Sequence, residues 1–185
     1  MSIIRSLRKF GLVLGFFITG LSGCALPDLP RHDKVIIERW ADLQADDEQL
    51  REILGVFNQA EQALQARDLE SLMALYSDGY AYHGVTKESL RHIWLGLLVR
   101  YDRISSTHIF SGVKVAGSAD QLTGEVVCTG RLAAMSETGA RINIDSWFYE
   151  VHHLVYEKGA WRIRGNSGEP RSYLHSLGVW PHPLF

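Results

Sequence analysis

The stretch DDEQLREILGVFNQAEQALQARDLESLMALYSDGYAYHG, residues Asp46 to Gly84, decides the fold. Asp46 followed by Gln49 has the spacing of a capping box, in which two side chains satisfy backbone N–H groups at a helix start. Leu50, Ile53, Leu54, Phe57, Ala60 and Leu64 then keep the 3.6-residue period and form one apolar stripe. Gly55 weakens this helix by about 1 kcal/mol relative to Ala unless close packing requires it. Asp68 is placed to cap a second helix carrying Leu69, Leu72, Met73 and Leu75. Ser77-Asp78-Gly79 stops that helix, and Tyr80-Ala81-Tyr82 reads as a short strand with both tyrosines on one side.

Downstream, Thr86 is an N-cap for a third helix. Leu90, Ile93, Trp94, Leu97, Leu98 and Tyr101 supply its apolar face at helical spacing. From residue 105 the period changes to two. Strands are predicted over Ser105–Ala116, Gln121–Ala134, Ile142–Tyr156 and Ala160–Arg164, separated by Gly-containing turns. In regular alternation Ile142–Tyr156 has Ile142, Ile144, Phe148 and Leu154 on one side and Trp147, Tyr149, Val151 and Val155 on the other. A strand apolar on both faces is covered on both, here by helices on one side and a second copy of the chain on the other. A homodimer through the sheet is therefore expected. The order of elements makes the fold α+β.

The N-terminus carries a different message. Arg5, Arg8 and Lys9 precede an apolar run from Phe10 to about Leu21, too short to span a bilayer comfortably and laid out like a secretory signal. Leu21-Ser22-Gly23-Cys24 resembles the lipobox of bacterial lipoproteins. That resemblance implies a signal peptide over residues 1–23, cleavage before Cys24, and acylation of that residue. A plain signal peptide or an uncleaved anchor with an incidental Cys is the alternative. Two or more acyl chains, at about 0.8 kcal/mol per buried methylene, hold a protein on a membrane stably. Ala25 is not the Asp that often retains such proteins at the inner membrane, so the expected location is the cell envelope. In a Gram-negative organism that is the periplasmic face of the outer membrane.

Removing residues 1–23 lowers the cations from 19 to 16 against 21 acids, a balance of −5. Such a domain has no electrostatic footprint for nucleic acid. With Cys24 lipidated, Cys128 has no intrachain disulfide partner and is expected to be a small buried strand residue. Residues 24–45 read as a tether and N-terminal arm, helical or extended. The domain proper is placed at 46–167, and 168–185 as a tail packed on it. With 185 residues, 46% hydrophobic and 22% charged, the chain has enough length and apolar content for one such core.

Three helices followed by a curled antiparallel sheet resemble the nuclear transport factor 2-like superfamily, which includes ketosteroid isomerases and polyketide-cyclase-like (SnoaL-like) proteins. The resemblance rests on Ala66-Arg67-Asp68-Leu69-Glu70-Ser71-Leu72-Met73-Ala74-Leu75-Tyr76-Ser77-Asp78, on the hairpin Lys158-Gly159-Ala160-Trp161-Arg162-Ile163, and on the strand pattern His108 to Val115. It implies a cone-shaped curved antiparallel sheet wrapped around three N-terminal helices, a cystatin-like cone with a pocket. The isomerase chemistry does not carry over. A gapless match puts Gly84 where the isomerase general-base Asp stands and Ala60 where its oxyanion-hole Tyr stands.

The candidate pocket and ligand-binding residues are Phe57, Tyr82, Trp94, His108, Trp147 and Tyr149, because large flat side chains with a polar atom suit an apolar ligand that needs orientation. The candidate catalytic groups are His83, His108 and Tyr82. Imidazole shuttles protons near neutral pH when a carboxylate or carbonyl orients it. Glu150 shares a strand face with His152, and Asp145 with His153, so a His–acid dyad beside Tyr82 would resemble dehydratase sites of this superfamily. No H-x-x-x-H or C-x-x-C spacing occurs, and adjacent His152 and His153 point to opposite faces, so no metal and no other cofactor is expected. The preferred reading is a non-catalytic, membrane-tethered cone that binds a small apolar ligand or a protein partner. A lyase or isomerase with a His-based site and a purely structural envelope lipoprotein are the alternatives.

Overall fold

In a computed structural model, residues 35–118, 121–136 and 138–167 are described; the signal-like segment, Cys24, the residues up to 34 and the 168–185 tail lie outside them. All described residues belong to one compact unit.

That unit begins with strand β1 (Val35–Gln44), followed by helices α1 (Asp47–Ala66) and α2 (Leu69–Met73). A two-residue strand pair, β2 (Ala81–Tyr82) and β3 (Val85–Thr86), leads into α3 (Lys87–Arg100). Four long strands complete it: β4 (Arg103–Ser118), β5 (Gln121–Met135), β6 (Arg141–Glu157) and β7 (Ala160–Ser167). The main sheet has the order β1-β4-β5-β6-β7, antiparallel except for β1, which runs parallel to β4 on the edge. The N-terminal arm, which could have been helical or extended, is thus a strand, with Val35 opposite His108.

The helix starts form as their caps dictate. Asp46 and Gln49 make both halves of the capping box, Asp68 accepts from Ser71 N, and Thr86 accepts from Ser89 N. α1 ends at Arg67 in the left-handed region (φ 56°), whose guanidinium donates to the carbonyl of Tyr101 at 2.7 Å and ties the end of α1 to the end of α3. Leu75–Ser77 lies against β7, with Ile163 N donating to Leu75 O and Ser77 N to Ile163 O.

α1 packs across the sheet on β4 and β7. Its Ile53, Phe57, Ala60 and Leu64 are buried, as the stripe requires. The core has two chemically different parts. Around α2 and α3, Leu72, Leu90, Trp94 and Tyr76 are fully buried, and the Trp94 indole N–H donates to the Tyr76 hydroxyl at 3.2 Å. Between α1 and the sheet, the buried set includes Ser106, His108, Cys128, His152 and Asn166. No helix among the described residues is long and apolar enough to cross a membrane.

Candidate binding site

The inner face of β4 alternates cleanly: Ile104, Ser106, His108 and Phe110 are all buried. Cys128 of β5 pairs with Phe110 on one side and Glu150 on the other, and Val126 pairs with His152. His152 in turn pairs with Asn166 of β7. His108, Cys128, His152 and Asn166 therefore form a diagonal of polar side chains across four hydrogen-bonded strands.

The contacts along that diagonal are specific. The Cys128 sulfur lies 3.6 Å from His108 Nδ1, and the Trp147 indole N–H donates to the same sulfur at 3.3 Å. His152 Nδ1 lies 3.0 Å from Asn166 Oδ1. An amide oxygen only accepts, so Nδ1 carries the proton and Nε2 of the neutral ring is the acceptor. Phe57 closes the site from α1, its ring centroid 5.0 Å from His108 and 5.7 Å from His152. Trp147 flanks it, 5.2 Å from His108. Burial pushes the Cys128 thiol up to about 12, with the Trp147 hydrogen bond pulling the other way, so the sulfur is a neutral thiol at physiological pH.

A second polar pair adjoins this one. The Tyr82 hydroxyl donates to Glu150 Oε1 at 3.3 Å. Burial first, then the charges of Glu150 and Asp145, hold the Tyr82 phenol well above its ordinary range. Tyr82 at neutral pH is therefore a proton donor. Glu61 of α1 is a further buried acid facing the sheet; it accepts from the Ser106 N–H at 2.6 Å and the Ser106 hydroxyl at 3.0 Å, fastening α1 to β4.

Of the residues picked from sequence, Phe57, His108 and Trp147 come together, and Tyr82 joins them through Glu150. Trp94 lies in the apolar part of the core, against Tyr76. Tyr149 does not join them: it is 67% exposed. The physical reason is a β-bulge. Cys128 pairs with Glu150 but Gly130 pairs with Trp147, so Phe148 and Tyr149 together face the single residue Thr129. Tyr149 adopts the left-handed region at φ 50°, and its N–H donates to Thr129 Oγ1 at 3.2 Å. The extra residue flips the alternation, bringing Asp145 and Trp147 onto the inner side with Glu150 and His152. The pairing of Asp145 with His153 on one face is thereby lost; His153 instead contacts Ser167.

His83 lies at the surface, its ring 4.3 Å from that of Tyr82. It and Gly84 both have positive φ, 46° and 81°, and form the two-residue turn joining β2 to β3, the geometry of a type I′ hairpin. Its side chain is exposed. A side chain at Gly84 would meet open space, so the position matched to an isomerase base presents no group to the interior. Sequence reasoning did not group Cys128 and His152 with His108. The alternation of β4 and the parity of His152 with Leu154 were available signals; the cross-strand register that joins them was not.

Three open surface depressions have volumes of about 620, 430 and 420 Å³; the third reaches Asn166 at the end of the diagonal, and the first two are lined by other residues. The first lies between α1 and the Gly159–Arg162 hairpin, where Trp161 donates to Glu52 at 3.1 Å.

No protein-family model matches the sequence, and no curated protein matches it. Solved structures do. Aln2 from a Streptomyces species is 18% identical, with a TM-score of 0.53 over 73% of this chain and 99% of that one. A structure from Novosphingobium aromaticivorans is 10% identical, with a TM-score of 0.50 over 66% of this chain and 89% of that one. A Streptomyces avermitilis protein from the nuclear transport factor 2-like family is 12% identical over 65% of this chain and 94% of that one; its TM-score of 0.44 carries no argument by itself. At 18% and 10% identity, the first two show a likeness of fold. The chain has the α+β architecture expected of it, a curved and mostly antiparallel sheet over helices, and it shares that fold with the first two of these structures.

Proposed function

We propose that this protein is a lipid-anchored envelope protein whose cone interior binds a small, largely apolar molecule bearing one polar group. The observation that carries the reading is the diagonal of His108, Cys128, His152 and Asn166, fully or almost fully buried under Phe57 and Trp147. A core that only had to be stable gains nothing from two imidazoles, an amide and a thiol; buried polar groups cost free energy unless every one is satisfied. Aromatic walls with a few placed polar atoms are the usual composition of a small-molecule site. The reading is one of binding rather than turnover, because Gly84 and Ala60 stand where the isomerase groups would be.

A second reading, an acid–base enzyme, is favoured by one specific contact, the Tyr82–Glu150 pair, which supplies a donor and a carboxylate beside the histidines.

The anchor and the dimer belong to the same proposal. Phe148 and Tyr149, 61% and 67% exposed on the outer face of β6, are where a second copy would pack. Native mass spectrometry of the full chain, extracted in detergent, tests the binding and the dimer together. A retained molecule of a few hundred daltons and a two-chain species are expected; a bare monomer contradicts both. Labelled palmitate should enter the wild-type chain and not Cys24→Ser. Equal labelling of the two would contradict the anchor.

A further inference from the structure

We propose that His108, Cys128 and His152 hold one transition-metal ion of borderline to soft character, Zn2+ being the natural choice, with one coordination position left open. This rests on the reading of the interior as a binding site and names what that site holds first.

The geometry is the starting point. One ring nitrogen of each imidazole and the thiol sulfur all lie within 4.8 Å of one another, and all three residues are buried. In a tetrahedral site with a metal–sulfur bond of about 2.3 Å and metal–nitrogen bonds of about 2.0–2.1 Å, neighbouring ligand atoms stand roughly 3.3–3.6 Å apart. The sulfur and His108 Nδ1 are already 3.6 Å apart. The remaining closure is within reach of side-chain rotation. The three ligands sit on β4, β5 and β6, neighbouring strands of one hydrogen-bonded sheet, so their backbones are fixed relative to one another.

The surrounding groups are those a metal site needs. A ligating histidine almost always gives its other ring N–H to an oxygen acceptor, which sets the tautomer and the ring plane. His152 does this with Asn166, which leaves Nε2 as the ring nitrogen carrying the lone pair. The Trp147 indole donates to the sulfur, a hydrogen bond that persists when the sulfur becomes a thiolate. Two nitrogens and one sulfur select zinc, cobalt or copper over magnesium or calcium, which prefer oxygen ligands. On binding, the Cys128 S–H bond breaks, its proton leaves to solvent, and the sulfur and both imidazole lone pairs bond to the ion. The ion and thiolate together carry one positive charge. Glu150, paired across the sheet from Cys128, supplies a compensating carboxylate. The open position would take water or the polar atom of the bound molecule, which explains why a largely apolar interior has one polar corner.

The spacing rules applied to the sequence missed this site because its ligands are far apart in the chain and meet only across strands.

The test is a Co2+ titration of the full chain after chelator treatment, read by absorption, with zinc X-ray absorption on the same preparation. The expected result is one ion per chain, a thiolate-to-cobalt charge-transfer band in the near ultraviolet, and one sulfur in the zinc shell. The band should disappear in Cys128→Ser and persist in His153→Ala, whose imidazole lies on the other face of β6. No band at saturating cobalt with the wild-type chain folded by circular dichroism would overturn the proposal. A band retained in folded Cys128→Ser, or a zinc shell without sulfur in the wild type, would overturn it equally. Native mass spectrometry on the same sample separates the two readings. A retained organic molecule without cobalt binding removes the metal and leaves the binding site standing; neither ion nor molecule removes both.

Discussion

Two parts of this core are equally buried and chemically unlike. Around Trp94, the buried neighbours are Tyr76, Leu72 and Leu90, and one hydrogen bond from the indole to the Tyr76 hydroxyl satisfies the indole N–H. Between α1 and the sheet, Phe57 and Trp147 cover two histidines, a cysteine and an asparagine. Burial therefore does not distinguish a packing core from a site. The kind of atom buried does, because each polar atom taken from water must be matched by a partner, whereas each methylene is favourable without one.

The comparison can be broken or sharpened by substitution. Trp94→Ala should show the largest loss of stability, about 3–5 kcal/mol, from a large cavity in a part of the core with nothing to refill it. Urea unfolding would measure it, and its effect on ligand or metal binding in the surviving folded fraction should be small. Gly130→Ala should come next, at about 1–3 kcal/mol, since an added Cβ would stand 2.3 Å from the Thr107 carbonyl oxygen and 2.5 Å from Trp147 Cζ2, displacing both the β4 backbone and the indole. This variant should also lose binding, read by the same native mass spectra, because Trp147 is the wall of the site and the donor to Cys128.

Replacing His152 and Asn166 together by Leu should move stability by less than about 1.5 kcal/mol in either direction, because both members of the hydrogen-bonded pair give way to apolar groups together. Binding should be abolished. A single Asn166→Leu change should cost more stability than the pair, since it leaves the His152 N–H without its acceptor.

The smallest effect belongs to Asp78, an exposed surface carboxylate held between Lys87 at 2.8 Å and Lys158 at 2.9 Å. These hydrogen bonds keep its carboxyl well below the ordinary 3.8. A depressed carboxylate stabilises the fold above its unfolded pKa, and that contribution is lost as pH falls through the folded value. Asp78→Asn should therefore lower the urea midpoint slightly at pH 7, and the difference from wild type should shrink as pH falls below about 4 or as salt rises.

Much of the scaffold was legible because it depends on local rules. The capping box at Asp46, the N-caps at Asp68 and Thr86, the stripe from Ile53 to Leu64 and the change of period at residue 105 each act within a few residues. The parallel pairing of Val35–Gln44 with β4 was not legible, since an edge strand and a short helix can share the same apolar spacing. Within the site, His108 could be read on the inner face from simple alternation. Tyr149 and Asp145 could not be placed, because the bulge opposite Thr129 reverses the face of everything on one side of it, and no Gly within β6 marks it. Tyr149 holds a left-handed conformation that favours Gly or Asn, so the sequence there points away from the geometry it adopts. Cys128 and His152 meet His108 by register alone, and register across three long strands with bulges is a property of the whole sheet.

The central claim is that the polar diagonal is a binding site and not merely a satisfied part of the core. Native mass spectrometry of the full chain, wild type beside the His152→Leu/Asn166→Leu pair, tests it most directly. The account predicts that the wild type carries a bound mass, ion or molecule, and that the equally stable variant carries none. The same bound mass on both, or none on either, would contradict it.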